Sequence, residues 1–107
     1  MRVPEISVKE VKRVRTQGEQ LRLVDVREEW ERNLVKIDDS IFLPMDQLPL
    51  RIDELDKAYK TVVYCHTGIR SAAVTAYLLG QGFEDVSNMV GGIDAWAKEV
   101  DPSMPLY

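Results

Sequence analysis

The 107-residue sequence contains little cysteine, little histidine and no surplus of positive charge. Its one cysteine, Cys65, excludes an internal disulfide and any metal site built on several cysteines. The one histidine, His66, is next to that cysteine, so we expect no zinc site and no metal cofactor. The net charge of −4 argues against nucleic acid as the main partner. The functional groups of the protein must therefore be sought in a small set of side chains.

Long apolar runs are also missing from the sequence. No stretch reaches the roughly 18 apolar residues that a membrane-spanning helix needs. The first five residues are not followed by the apolar core of a signal peptide. We therefore expect no membrane partner and a cytoplasmic location.

The length and composition are those of an ordinary globular protein, with 45% hydrophobic and 30% charged residues. We expect a single domain over residues 1–107, present as a monomer. Trp30 and Trp96 are predicted to be packing residues. Four basic residues near the N-terminus are interpreted as a solvated helix face: Lys9, Lys12, Arg13 and Arg15.

Short apolar runs alternate with helical patterns along the chain. Residues 5–6 are predicted to be a short extended entry, and strands are predicted over residues 21–26, 41–44, 61–64 and 86–90. Five helices are predicted. The first follows a capping box at Ser7 and Glu10, and the second spans residues 28–34. The third starts at Pro49, and the last two follow Gly68 and Gly92. This order predicts an α/β fold with a five-stranded parallel sheet flanked by helices on both faces. In such sheets the functional crevice lies at the carboxyl ends of the strands.

The segment Cys-His-Thr-Gly-Ile-Arg-Ser at positions 65–71 lies between a predicted buried strand and a predicted helix. Loop N–H groups and a helix N-terminus supply positive potential, and Arg70 adds a full charge. Such surroundings lower a cysteine pKa from about 8.5 to roughly 3.5–7.5. Asp25 and Arg27, at the end of another predicted strand, are expected at the same edge of the sheet. The sequence therefore predicts a reactive Cys65 thiolate.

Four residues separate Cys65 from Arg70, so the loop can curl its N–H groups around one sulfur atom. That ring favours a thiolate or a persulfide. The thiolate would attack the outer sulfur of a donor, and an acceptor nucleophile would then attack the terminal sulfur. No general acid or base is required if the leaving group departs as a stable anion. Without a second cysteine, the sulfur must pass to an acceptor outside the chain.

Three segments, in this order, resemble signatures of the single-domain rhodaneses, which are sulfurtransferases. They are residues 25–28 with 30–31, residues 63–71, and residues 91–93 with 95–96. The tail at residues 101–107 is similar to the ends of some stand-alone rhodaneses. It is also similar to rhodanese domains fused to enzymes that activate sulfur-carrier proteins. The resemblance covers nearly the whole chain.

The resemblance implies that Cys65 accepts sulfane sulfur from a donor such as thiosulfate and passes it to cyanide or a thiol. It implies that Arg70 helps to bind the anionic donor and that Asp25 and Arg27 fix the loop. Thioredoxin or a sulfur-carrier protein is an implied partner, and no cofactor is expected. The remaining loop residues would cradle the persulfide or line the substrate pocket: His66, Thr67, Gly68, Ile69 and Ser71.

Residues 35–40 depart from the family pattern, which usually reads Gly-His-Ile-Pro-Gly-Ala there. Only Ile37 is kept. Because both glycines and the proline are missing, we predict a different turn, with Asp38 or Asp39 in a left-handed conformation.

Other interpretations of the same residues stay open at this point. Cys65 can be a buried structural thiol, and Arg70 can form an ion pair with Asp25 or with a helix carboxylate. His66 can act as a general base or simply lie at the rim. Phosphatase or arsenate-reductase chemistry is an alternative, although related folds use a loop one residue longer for it. A non-enzymatic regulatory module is a third, but such domains usually lack the loop cysteine.

Overall fold

Five short strands form one parallel sheet in the computed structural model, which describes residues 2–107. The strands are β1 (Glu5–Ile6), β2 (Arg22–Asp25), β3 (Ser40–Phe42), β4 (Thr61–Tyr64) and β5 (Val86–Met89). Their order in the sheet is β1-β5-β4-β2-β3, and every neighbouring pair is parallel. The predicted five-stranded parallel sheet is confirmed, with each strand close to its expected position.

Five α-helices connect and cover these strands. They are α1 (Val8–Thr16), α2 (Glu29–Leu34), α3 (Leu48–Arg51), α4 (Ile69–Gly80) and α5 (Gly92–Glu99). The segment predicted as one helix from Pro49 is instead a single α-turn between two 3₁₀ turns, Met45–Gln47 and Ile52–Glu54. Across residues 2–107, no helix combines the length and the apolar character needed to cross a membrane.

The sheet separates two apolar layers because successive side chains of a strand point to opposite faces. On one face, Val63 and Cys65 pack with residues of α3 and α4, such as Leu48 and Val74. On the other face, Tyr64 packs with residues of α1 and α5. Fully burying an aliphatic side chain of this kind contributes about 1.5–3 kcal/mol. Because both faces of the sheet are buried, the side chain of Cys65, the residue after β4, is directed toward α4.

The start of α1 differs in one detail from the predicted capping box. The Ser7 hydroxyl accepts the N–H of Glu10 at 3.1 Å, as expected. The Glu10 carboxylate does not return the bond to Ser7, because it accepts from Arg13 Nε at 2.8 Å. Only half of the box is therefore present.

The turn that precedes β3 confirms one prediction. Asp39 has φ of 58° and is the only non-glycine residue in the described chain with positive φ. A left-handed residue here lets the chain reverse without the family's glycines. Ile37 is buried in the layer covered by α1 and α5, and its N–H donates to the Tyr64 hydroxyl at 3.4 Å.

The two tryptophans have different environments. Trp96 is buried in the layer under α1 and α5, as predicted. Trp30 is 56% exposed, so its prediction as a packing residue is wrong. It lies on the outer side of α2, and its ring meets that of Tyr107 edge-on at a centroid distance of 6.0 Å.

Candidate active site

Cys65 follows the carboxyl end of β4, and its Sγ is surrounded by N–H groups of its own loop. The N–H of Gly68 lies 3.1 Å from Sγ, and the N–H of Ser71 lies 3.4 Å from it. Gly68 has φ of 106°, a conformation that glycine adopts at little cost. The structure therefore brings the two ends of the loop back to one sulfur atom.

The pKa of the Cys65 thiol lies below its ordinary value although the side chain is buried. Burial raises this pKa, because it disfavours the charged thiolate. The Ser71 hydroxyl, the N–H groups of Ser71 and Gly68, and the charge of Arg70 outweigh burial and lower it. The loop therefore favours a thiolate through several short polar contacts.

Asn88, in β5, ties the two halves of the loop together. Its Nδ2 donates to the Gly68 carbonyl at 3.1 Å, and its Oδ1 accepts the Ser71 hydroxyl at 2.5 Å. Ser71 Oγ also lies 3.3 Å from Cys65 Sγ. A hydroxyl has one proton, so Ser71 donates either to Asn88 or to the sulfur at any moment. Formation of the thiolate draws this proton toward the sulfur.

Replacing Ser71 by alanine is expected to slow the alkylation of Cys65 by iodoacetamide at neutral pH. Loss of the hydroxyl removes a donor to the thiolate and so raises the pKa of Cys65. Loss of a hydrogen bond worth about 1 kcal/mol should make the alkylation of Cys65 at neutral pH roughly fivefold slower. The pH at which alkylation is half-maximal moves upward in Ser71→Ala. A control variant, Ser87→Ala in β5, leaves the profile unchanged, and an equal effect in both variants would count against the role of Ser71.

The N-terminus of α5 abuts the back of the loop. The N–H groups of Ile93 and Asp94 donate to the carbonyls of Cys65 and His66 at 2.9 and 3.1 Å. A Cβ on Gly92 would lie 2.5 and 2.4 Å from these two carbonyl oxygens, and Gly92 has φ of 59°. Only glycine fits this approach without displacement of the backbone. The turn predicted at residues 91–92 therefore also holds the cysteine loop in place.

The guanidinium of Arg70 faces a carboxylate of α2. Its Nη1 and Nη2 donate to the two carboxylate oxygens of Glu31 at 2.6 and 2.8 Å. Glu31 also accepts the N–H of Glu28 and the hydroxyl of Tyr107. Burial raises the pKa of Glu31, but the hydrogen bonds from Arg70 and Tyr107 outweigh this effect and lower it to about 2. Of the alternatives for Arg70, the structure contains the ion pair with a helix carboxylate.

Asp25 and Arg27 form a fully buried ion pair, with Arg27 Nη2 2.8 Å from Asp25 Oδ2. Arg27 also donates to the Val35 carbonyl at 2.7 Å and to the Tyr107 hydroxyl at 3.0 Å. In the described part of the chain, neither side chain hydrogen-bonds to residues 65–71. One indirect chain of hydrogen bonds connects the pair with the loop, from Arg27 through Tyr107 and Glu31 to Arg70.

The other predicted loop residues lie toward the surface. The His66 ring stacks on the Tyr107 ring, at 4.0 Å between centroids and 11° between planes. It makes no hydrogen bond with Cys65 Sγ within residues 2–107, so the geometry gives no support to a general base. Thr67 and Ile69 are exposed at the mouth of the loop. Among the residues described, no three His, Cys, Asp or Glu side chains are close enough to bind a metal ion.

Three residues at the site were not predicted from the sequence: Glu31, Asn88 and Tyr107. Each carried a weak signal. Glu31 belongs to the second half of the first signature, Asn88 is a polar residue within an apolar strand, and Tyr107 is the last residue of the tail that resembles other rhodanese ends. None of these signals indicates that the three would meet Arg70 or Cys65.

Comparison with known proteins agrees with the fold described above. The model of the rhodanese-like domain matches residues 7–99. A sulfurtransferase of Allochromatium vinosum is 42% identical over 80 residues, which are 75% of each chain. YtwF of Bacillus subtilis is 37% identical, and the match covers 95% of this chain and 98% of YtwF.

Two further similarities concern a solved structure and a longer protein. The crystal structure of a rhodanese-like domain protein from Staphylococcus aureus has a TM-score of 0.84 and 29% identity, covering 97% of this chain and 98% of that one. The adenylyltransferase and sulfurtransferase MOCS3 of Arabidopsis thaliana is 32% identical over 95% of this chain. The match spans 25% of the MOCS3 length.

Proposed function

The chain belongs to the rhodanese-like family, and from this membership we propose that it is a sulfurtransferase that carries sulfur as a persulfide on Cys65. The observation that supports this most strongly is the pair of N–H groups, from Gly68 and Ser71, aimed at Sγ. A buried structural thiol does not need such donors, because a neutral thiol is a weak acceptor. A thiolate or a persulfide anion does need them.

In the first step the Cys65 thiolate attacks the outer sulfur of a donor. A bond forms between Sγ and that sulfur, the donor's S–S bond breaks, and the leaving group departs with the electron pair. Ile69 and Arg70 lie in the first turn of α4, where N–H groups have no intrahelical acceptor. These N–H groups and the positive end of the α4 dipole stabilise the terminal sulfur of the persulfide.

In the second step a nucleophile from outside the chain attacks the terminal sulfur and restores the thiolate. Cyanide or a thiol serves as this acceptor, and a thioredoxin or a sulfur-carrier protein is the protein partner that we propose. Thr67 and Ile69, exposed at the mouth of the loop, are the side chains that an acceptor would meet first.

The alternatives receive less support from the geometry. A phosphatase loop must direct its arginine toward a tetrahedral oxyanion, whereas both Nη atoms of Arg70 are directed at Glu31. The loop also has only four residues between cysteine and arginine. A regulatory module has no need of a thiol with a lowered pKa. We also propose that residues 1–107 act as one domain, as a monomer in the cytoplasm and without a cofactor.

A donor panel followed by intact-mass measurement tests the proposed function. We expect at least one sulfane-sulfur donor, among thiosulfate and organic or protein persulfides, to add the mass of one sulfur atom to the protein. The added mass is located on Cys65 and is removed by a reductant. Phosphate esters remain unhydrolysed. If no donor modifies Cys65 at any concentration, or if a phosphate ester is hydrolysed in a Cys65-dependent reaction, the proposal is overturned.

A further inference from the structure

Two sequence features that sulfur transfer at Cys65 does not use meet in one groove. They are the basic cluster of α1 and the segment at residues 35–40 that departs from the family pattern. The groove has a volume of about 690 Å³ and lies between α1, residues 35–38 and residues 100–105. Lys12 and Arg15 of the basic cluster line it, and so does Lys36, which stands where the family pattern has histidine. The groove therefore contains residues particular to this chain.

The floor of the groove is apolar. The indole of Trp96 lies there and is almost fully buried. The guanidinium of Arg15 lies over this ring, 6.0 Å from its centroid, and donates from Nη2 to the Asp38 carbonyl at 2.6 Å. These contacts hold α1 against the segment at residues 35–38. Three half-buried apolar side chains also line the groove: Val35, Val100 and Met104.

The cations of the groove are not neutralised by ion pairs. Lys12 and Lys36 are exposed, and within residues 2–107 neither of them forms a salt bridge, nor does Arg15. Two carboxylates, those of Asp38 and Asp101, also line the groove. Three cationic side chains thus face two carboxylates, in a chain whose net charge is −4. This local excess of positive charge attracts acidic groups.

The groove suits an acidic peptide segment better than an isolated phosphate group. Arg15 lies in the last turn of α1, where the helix dipole is negative, and Asp38 and Asp101 repel a phosphate dianion. The carboxylates of a peptide can be spaced along the cations, while its N–H groups donate to the two aspartates. Its apolar side chains can contact the floor around Trp96.

One end of the groove lies beside the cysteine loop. Pro105 lines the groove and also a small crevice next to His66. Two residues further on, the ring of Tyr107 stacks on that of His66. Two residues span at most about 7 Å, so a segment bound in the groove ends close to this loop. The groove is therefore placed to hold a protein that approaches Cys65.

We propose that the groove is a docking surface for an acidic segment of a partner protein, in which carboxylates alternate with apolar side chains. The carboxylates pair with Lys12, Arg15 and Lys36, and the apolar side chains contact Trp96 and Met104. Because exposed ion pairs contribute little free energy each, they set the orientation of the segment, and the apolar floor supplies most of the affinity. Docking here does not require sulfur transfer at Cys65.

The test uses a fluorescein-labelled peptide in which glutamates alternate with leucines and serines, and a matched peptide with lysine at every glutamate position. Anisotropy is expected to show that the protein binds the glutamate peptide at least about tenfold more tightly than the lysine peptide. Trp96 reports the place of binding, because it is the only tryptophan in Trp30→Phe. Its emission should change as the unlabelled glutamate peptide binds, with the dissociation constant that anisotropy gives.

Exposed lysines provide the variants and their control. Lys12→Gln and Lys36→Gln should each weaken binding of the glutamate peptide about threefold, and the double variant about tenfold. Lys57→Gln removes the same charge from an exposed lysine outside the groove and should leave the affinity unchanged. Should the double variant not fold, added salt weakens binding to the unaltered protein, because it screens the exposed charges.

Several results would overturn the proposal. They are equal affinity for the two peptides, an unchanged affinity in the folded double variant, affinity independent of salt, or a Trp96 emission that does not respond. Displacement of the peptide by equally low concentrations of inorganic phosphate would instead assign the groove to a small anion. Self-association of the protein that the double variant abolishes would assign it to a second copy. Loading of Cys65 with sulfur is measured separately, so failure of peptide binding leaves the sulfurtransferase proposal standing.

Discussion

Replacing Cys65 by serine is expected to lower the rate of sulfur transfer roughly a thousandfold or more, to the level without protein. A serine hydroxyl is a far weaker nucleophile than a thiolate and cannot form a persulfide. The replacement keeps the size of the side chain and its neighbours Gly68 and Ser71, so the fold should survive. The measurement is the steady-state transfer from an organic persulfide to a thiol acceptor.

Two controls make this result specific to Cys65. Circular dichroism and thermal unfolding should show that Cys65→Ser is folded, and Cys65→Ala should be equally inactive. Sulfur transfer that persists in a folded Cys65→Ser at more than a few per cent of the parental rate would show that another group carries the sulfur.

The second large effect is expected for Gly92→Ala. The new Cβ would lie 2.4 Å from the His66 carbonyl oxygen and 2.5 Å from that of Cys65. Both oxygens belong to backbone that cannot move without displacing the cysteine. Overlap of this kind costs about 1–3 kcal/mol, and a left-handed alanine adds about 1–2 kcal/mol. We therefore expect a loss of about 3 kcal/mol in the free energy of unfolding, measured by urea denaturation.

Gly18→Ala is a matched control for this prediction. Gly18 has φ of 75°, and a Cβ built on it meets nothing within 4 Å. The loss of unfolding free energy in Gly18→Ala therefore reports the cost of the left-handed backbone alone, about 1 kcal/mol. Equal losses in the two variants would mean that α5 does not constrain the loop as the structure indicates. A larger loss in Gly92→Ala, together with slower alkylation of Cys65, is the expected result.

The fold was largely predictable because its determinants are local. The apolar runs that form β2, β4 and β5 are separated by helix caps and glycines, and the parallel order follows from the alternation of strands and helices. The cysteine loop was predictable for the same reason, since Gly68 and Ser71 reach Cys65 within six positions. A left-handed residue at Asp38 or Asp39 was expected from the absence of glycine in the turn, and the structure has it at Asp39.

The polar network around Arg70 was not predictable because it joins distant parts of the chain. Glu31 is 39 positions from Arg70, and Tyr107 is 76 positions from Glu31. No periodicity or capping rule links such residues, and the carboxylate partner of Arg70 stayed an open choice. Trp30 illustrates the same limit, because a short charged helix does not reveal which of its faces meets the core.

Local competition explains the smaller differences. The Glu10 carboxylate can bond to the helix start or to Arg13, and a charged partner makes the stronger hydrogen bond. The helix expected from Pro49 is four residues long and lies between two 3₁₀ turns. Sequence patterns do not resolve such local choices.

Discharge of the loaded protein tests the central claim most directly, namely that sulfur passes through Cys65 to an outside acceptor. The protein is loaded with an organic persulfide, freed of donor and mixed with a thiol in a single turnover. We expect the protein to lose the mass of one sulfur atom at the same rate at which the acceptor gains one equivalent of sulfane sulfur. An acceptor that gains no sulfur, or one that gains sulfur while the adduct on Cys65 persists, would contradict the claim.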